Sequence, residues 1–144
     1  MQEGMPMDKP IVLVVDAAAG IRDMVSQILK DEGYAIETAA DGVEALAMVE
    51  RVRPNLVLLD MRMPNMNGWE FARILKERGI GLPIIVITAA QSAKAWASEI
   101  GAAGFLAKPF GVQSLIDKVQ ALGLLPVDDI ARGGEARQAR TEAS

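Results

Sequence analysis

The 144-residue sequence contains no cysteine and no histidine. The first absence excludes disulfides, thiolate metal sites and thiol nucleophiles. The second removes the commonest general base and metal ligand, so any chemistry must run on carboxylates, hydroxyls, lysines and backbone groups. Aromatic residues are scarce, at 4% of the chain, which leaves little with which to grip a flat cofactor. No apolar run approaches the roughly 18 residues that span a bilayer, so no membrane association is expected. The opening MQEGMPMDKP lacks a basic region followed by an apolar core and does not read as a secretory signal; the expected location is cytoplasmic. An excess of positive charge is missing too. Fifteen Lys and Arg stand against 19 Asp and Glu, a net charge of −4, which argues against a nucleic-acid partner, whose footprint would be a basic patch.

What is present is an ordered alternation. Four apolar runs stand out, IVLVV (11–15), AIETA (35–39), NLVLL (55–59) and IIVIT (84–88), with a weaker fifth, GFLAK (104–108). Three are continuous rather than alternating, as strands buried on both faces should be. Helical spacing fills the gaps. Ile21, Met24, Val25, Ile28 and Leu29 share one face and Gly33 closes that helix. Asp41 is placed to cap a second helix carrying Val43, Leu46 and Val49. Phe71, Ile74 and Leu75 mark a third, ending at Gly79. A short alanine-rich fourth covers roughly 91–100, and Val112, Leu115, Ile116, Val119 and Leu122 mark the last. Five strand–helix units predict an α/β fold, a parallel sheet with helices on both faces. The expected organisation is a loose segment over 1–8, one domain over 9–124 and a polar, flexible tail over 125–144.

In such a sheet, ligands bind beyond the carboxyl ends of the strands, where strand order reverses. Asp16 follows the first strand, Asp60 follows the third, Thr88 ends the fourth and Lys108 ends the fifth. One aspartate after a strand serves equally well as a cap or turn residue; four polar residues at corresponding positions form a set. A carboxylate can attack a phosphoryl group and hold it as an acyl phosphate. Mg²⁺ commonly screens such charge, and Thr88 and Lys108 can hold the transferred oxygens. Asp60, on the central strand, is the expected nucleophile.

VLVVD (12–16), ADGVEAL (40–46), LLDMRMPNMNG (58–68), ITA (87–89) and KPF (108–110), in that order, make the chain resemble the receiver domain of two-component response regulators, from about Lys9 to Leu124. The resemblance implies a flavodoxin-like doubly wound (βα)5 fold with strand order 2-1-3-4-5, of the stand-alone, single-domain type. It implies that Asp60 accepts phosphate from a histidine kinase or phosphotransfer protein, making this a signalling domain and not an enzyme. By the same resemblance Thr88 is the switch hydroxyl, Phe105 an aromatic switch, and Lys108, before a commonly cis Pro109, the partner of the phosphoryl oxygens. Asp16, Asp60 and the backbone carbonyl of Arg62 would hold Mg²⁺. Output would pass to a downstream protein through the face of the fourth helix, fifth strand and fifth helix, where Lys94, Trp96 and Lys118 lie. A monomer or weak dimer is expected. Phe105 reads equally as half-buried core, and Trp96 as a residue packed against the neighbouring strand.

One position departs from the family pattern. Two adjacent acids normally follow the first strand; here Asp16 is followed by Ala17, then Ala18, Ala19 and Gly20. Losing a charged ligand should weaken Mg²⁺ binding. Two readings therefore stand: a phosphorylatable receiver with a weakened metal site, or a receiver-like interaction module that has lost phosphorylation. The segment from Thr88 to Gly101 is also shorter than is usual in the family. Rivals from other classes fare worse. AAAG offers no hydroxyls for a flavin phosphate, and an aspartate-nucleophile hydrolase usually needs a second nearby acid and a cap domain.

Overall fold

The computed structural model describes residues 9–122; the expected loose segment (1–8) and tail (125–144) lie outside the described residues. Five strands and five helices alternate: β1 Ile11–Val15, α1 Ala19–Asp31, β2 Ala35–Ala39, α2 Gly42–Val52, β3 Leu56–Leu59, α3 Gly68–Glu77, β4 Ile84–Ala89, α4 Ala90–Ile100, β5 Gly104–Lys108 and α5 Val112–Ala121. All neighbouring strands are parallel and their order is β2-β1-β3-β4-β5. The sheet is parallel, as the alternation predicts, and its order is the doubly wound one that the family resemblance implies.

The continuous apolar runs explain the layering. Successive strand residues face opposite sides, so β1 sends Leu13 and Val15 into one core and Val12 and Val14 into the other. The first core is closed by Ala45 and Val49 of α2, Phe71 and Leu75 of α3, and Ala97 of α4. The second is closed by Val25 and Leu29 of α1 and by Leu115 and Val119 of α5. Every residue of β3 is buried, as its central position demands.

Strand register fixes the height of the polar ends. Val15 lies opposite Leu59, so Asp16 and Asp60 leave the sheet at the same rung on adjacent strands. Between β1 and β3 the chain order reverses, which opens a crevice there. Thr88 pairs with Ala107 and Ala89 with Lys108, bringing the hydroxyl and the ammonium to the same edge. β4 passes into α4 with no residue between them: Ala89 is both the last strand residue and the helix cap, and it supplies no side-chain hydrogen bond.

The loop after β3 is held from outside. Asp41 Oδ1 accepts from the Glu44 amide at 2.9 Å, the expected cap, and its Oδ2 accepts from Asn65 Nδ2 at 2.7 Å. Asn65 adopts a left-handed conformation, φ 67°, which asparagine tolerates better than most residues. The Gly42 amide donates to the Met66 carbonyl at 3.0 Å, and a Cβ at Gly42 would sit 2.7 Å from that oxygen. Alanine would gain up to about 1 kcal/mol of helix propensity, but overpacking against backbone costs about 1–3 kcal/mol. Gly42→Ala is therefore expected to lower stability by about 1–2 kcal/mol, read as a reduced urea midpoint at unchanged slope.

Candidate functional site

Asp16, Asp60 and Thr88 are buried, at 3%, 8% and 4% residual exposure, the acids just beyond β1 and β3 and the threonine the last residue but one of β4, before Ala89. A fourth strand contributes Lys108. Its ammonium lies 2.9 Å from Asp16 Oδ2 and 3.8 Å from Asp60 Oδ2. The structure thus brings Asp16, Asp60 and Lys108 into one cluster. The Lys108–Pro109 peptide is cis.

Each carboxylate is also anchored by backbone. Asp16 Oδ1 accepts from the Ala18 amide at 2.9 Å, bracing the uncapped start of α1, while the Arg22 guanidinium donates to the Asp16 carbonyl at 2.6 Å. Asp60 Oδ1 accepts from the Arg62 amide at 3.5 Å, a long bond. Burial pushes the Asp60 carboxyl above its ordinary value and the Asp16 charge pushes further; Lys108 and the Arg62 and Met61 amides pull it back. Two acids and one ammonium leave the pocket with a net charge of about −1 when both acids are ionised. Such a pocket offers a nucleophilic oxygen, a cation beside it and a hydroxyl on the adjoining strand.

The response regulator receiver domain model matches residues 12–120. The chain belongs to this family. It is 40% identical over 113 residues to the response regulator MprA of Mycobacterium leprae (strain TN), covering 77% of this chain and 50% of that protein. Against the alkaline phosphatase synthesis transcriptional regulatory protein SphR of Synechococcus elongatus it is 38% identical over 122 residues, covering 77% and 48%. The receiver chain thus spans about half the length of the curated relatives it matches. Among solved structures, the chemotaxis response regulator CheY4 of Vibrio cholerae matches at 38% identity and a TM-score of 0.72, covering 78% of this chain and 97% of that one. The receiver domain of NtrX from Brucella abortus matches at 33% and 0.71, covering 76% and 95%.

The donor set of this receiver suits the Mg²⁺ its family generally binds, at the lower limit. Mg²⁺ is usually held by one or two carboxylates with water and phosphate oxygens completing six, and Asp16 and Asp60 share a pocket. Ala17 is exposed and adds nothing. Among the described residues no group of three or more acidic, histidine or cysteine side chains could hold a metal. Both Asp16 oxygens already accept hydrogen bonds, so a cation there competes with Lys108.

Phe105 is half-buried, with the Lys118 ammonium 5.3 Å from its ring centroid. Trp96 is half-buried and packs against the core that holds Ile84 and Val86 of β4. It meets Trp69 of α3 edge-on at 4.8 Å and carries the Arg62 guanidinium at 5.0 Å. The Trp69–Trp96 contact was not visible in the sequence; nothing in helical spacing says which side chain of another helix lies opposite.

The raised carboxyl of Asp60 carries a sign. A carboxyl whose folded value exceeds its unfolded value favours the fold below the ordinary carboxylate range and loses that contribution as pH rises through the folded value. In chelator, Asp60→Asn is therefore expected to stabilise the receiver at pH 7, with the gain shrinking towards pH 4. Paired thermal melts across that range check it.

Proposed function

We propose that this receiver accepts a phosphoryl group on Asp60 from a histidine kinase or phosphotransfer protein and passes the signal on by protein–protein contact. The observation that carries the reading is the Lys108 ammonium lying between two buried carboxylates, 2.9 Å from Asp16 and 3.8 Å from Asp60. A structural ion pair needs one acid. A site that handles a transferred anion needs a nucleophile, a resident cation and a place for the incoming charge.

In the proposed step an Asp60 oxygen attacks phosphorus while the bond from phosphorus to the donor's histidine nitrogen breaks. A P–O bond replaces a P–N bond, and the imidazole, already protonated on its other ring nitrogen, departs neutral with the P–N electron pair. Burial raises the basicity of Asp60, which favours attack by its ionised form. Lys108 is proposed to follow the negative charge from Asp16 to the phosphoryl oxygens. Mg²⁺, held by Asp16, Asp60 and the Arg62 carbonyl, would screen the same oxygens when bound. Thr88, buried on the adjoining strand, is the proposed switch hydroxyl, and Phe105 the aromatic that responds to it. The proposed output face is α4-β5-α5. No helix among the described residues is long and apolar enough to cross a membrane, and a cytoplasmic location accords with a kinase partner.

Ala17 supports a second reading, a receiver-like module that binds its partner without phosphorylation. Acetyl phosphate with Mg²⁺, followed by intact-mass measurement, separates the two. The expected result is a phosphate-sized gain in the native chain and none in Asp60→Asn, whose stability stays within about 1–2 kcal/mol of native. Stoichiometric uptake by Asp60→Asn would remove Asp60 as nucleophile; no uptake by the native chain at any Mg²⁺ concentration, nor from a cognate kinase, would leave the module. Ala17→Asp is expected to tighten Mg²⁺ binding in a calorimetric titration, and unchanged affinity would refute the role given to position 17.

A further inference from the structure

Helix α4 is held by unusual means. Its fully buried side chains are two alanines, Ala93 and Ala97, which remove little apolar surface from water. Neither end of its sequence supplies a side-chain cap or an acidic first turn. Its larger side chains Trp96 and Ile100 are partly buried against the core, and Trp96 is also held by side chains from two other segments. Trp69 of α3 packs edge-on against it at 4.8 Å and 68°, and the Trp69 indole N–H donates to Glu99 Oε1 on the next turn of α4 at 2.8 Å. From the other segment the Arg62 guanidinium lies over the Trp96 ring.

Arg62 is also the residue whose amide donates to Asp60 Oδ1. It is exposed and makes no ion pair among the described residues; the aromatic face is what its charge rests on. One side chain is therefore rooted beside the proposed phosphoacceptor and ends on the helix that flanks the site.

We infer that Arg62 is a phosphoryl-responsive clasp on α4: its guanidinium rests on Trp96 while Asp60 is bare and transfers to the phosphoryl oxygens once Asp60 is phosphorylated. This deepens the proposed function and rests on Asp60 being the phosphoacceptor. The physical preference is clear. A cation over a half-exposed ring is weakly held, whereas a guanidinium paired with a doubly charged phosphoryl group makes charge-assisted, bidentate hydrogen bonds. The phosphoryl group binds one placement of Arg62 better than the other, which is what a population shift requires. Losing the guanidinium frees one face of Trp96, and because β4 enters α4 without a linker, inward movement of Thr88 would pull on the same helix. Two effects of one chemical event then converge on α4. By linkage, a partner that draws α4 away from Arg62 would favour the phosphorylated state.

The chain carries its own reporter, since its two tryptophans are Trp69 and Trp96. Tryptophan emission of the full chain is recorded before and after acetyl phosphate and Mg²⁺, with intact mass measured on the same samples. The native chain is expected to change its emission in proportion to phosphoryl uptake, as is Trp69→Phe; Trp96→Phe should lose most of the change. Arg62→Met, before any phosphate is added, should already emit as the phosphorylated native chain does, and Arg62→Lys should restore the native starting emission in part. Native uptake without an emission change overturns the clasp and leaves the phosphoacceptor reading standing. So does unphosphorylated Arg62→Met that is indistinguishable from unphosphorylated native protein. A native chain that takes up no phosphate under any condition overturns both.

Discussion

One ammonium shared between two buried carboxylates sets the character of this molecule. Two carboxylates taken out of water side by side repel each other and lose hydration. Lys108 offsets part of that cost, but it lies closer to Asp16 than to Asp60. Asp60 is left short of compensation, and burial first, then the Asp16 charge, raise its carboxyl above the ordinary range. The fold exists to hold that imbalance in place: β1, β3 and β5 deliver the three charged groups from separate units, and the cores on both faces of the sheet fix the strands.

Ala17 changes the balance rather than abolishing it. With one acid fewer, the pocket carries less mutual repulsion. Ala17 adds no charged ligand beside Asp16, and Lys108 occupies one of the two Asp16 oxygens. In α4 the buried anchors are alanines, and Trp96 is the side chain through which the helix meets α3 and Arg62. The pocket and α4 are therefore joined at Arg62, whose amide donates to Asp60 and whose guanidinium lies over Trp96.

The fold was legible in the sequence because its causes are local. Continuous apolar runs marked the strands, Asp41 marked a cap, and Gly33 and Gly79 stand just past helix ends with φ of 99° and 70°. That Asp16, Asp60 and Lys108 meet was legible from where the strands end. Three features were not. Lys108 favours Asp16 over Asp60 by about an ångström, a distance that register alone does not set. The junction of β4 and α4 has no cap residue or glycine to announce it. The Trp69–Trp96 contact joins residues of different helices, and amphipathic spacing identifies a face without naming what it meets. Glu99, an acid late in a helix and so opposed to the helix dipole, was the available hint that something nearby would bind it; the Trp69 indole does.

The most direct test of the charge imbalance is a carbon-13 NMR titration of the Asp60 side-chain carboxyl in chelator. The expected midpoint lies above the ordinary aspartate value of about 3.9 and falls towards or below it when Mg²⁺ is added. A midpoint at or below the ordinary value without metal would mean that Lys108 already satisfies Asp60, and the central claim would be wrong.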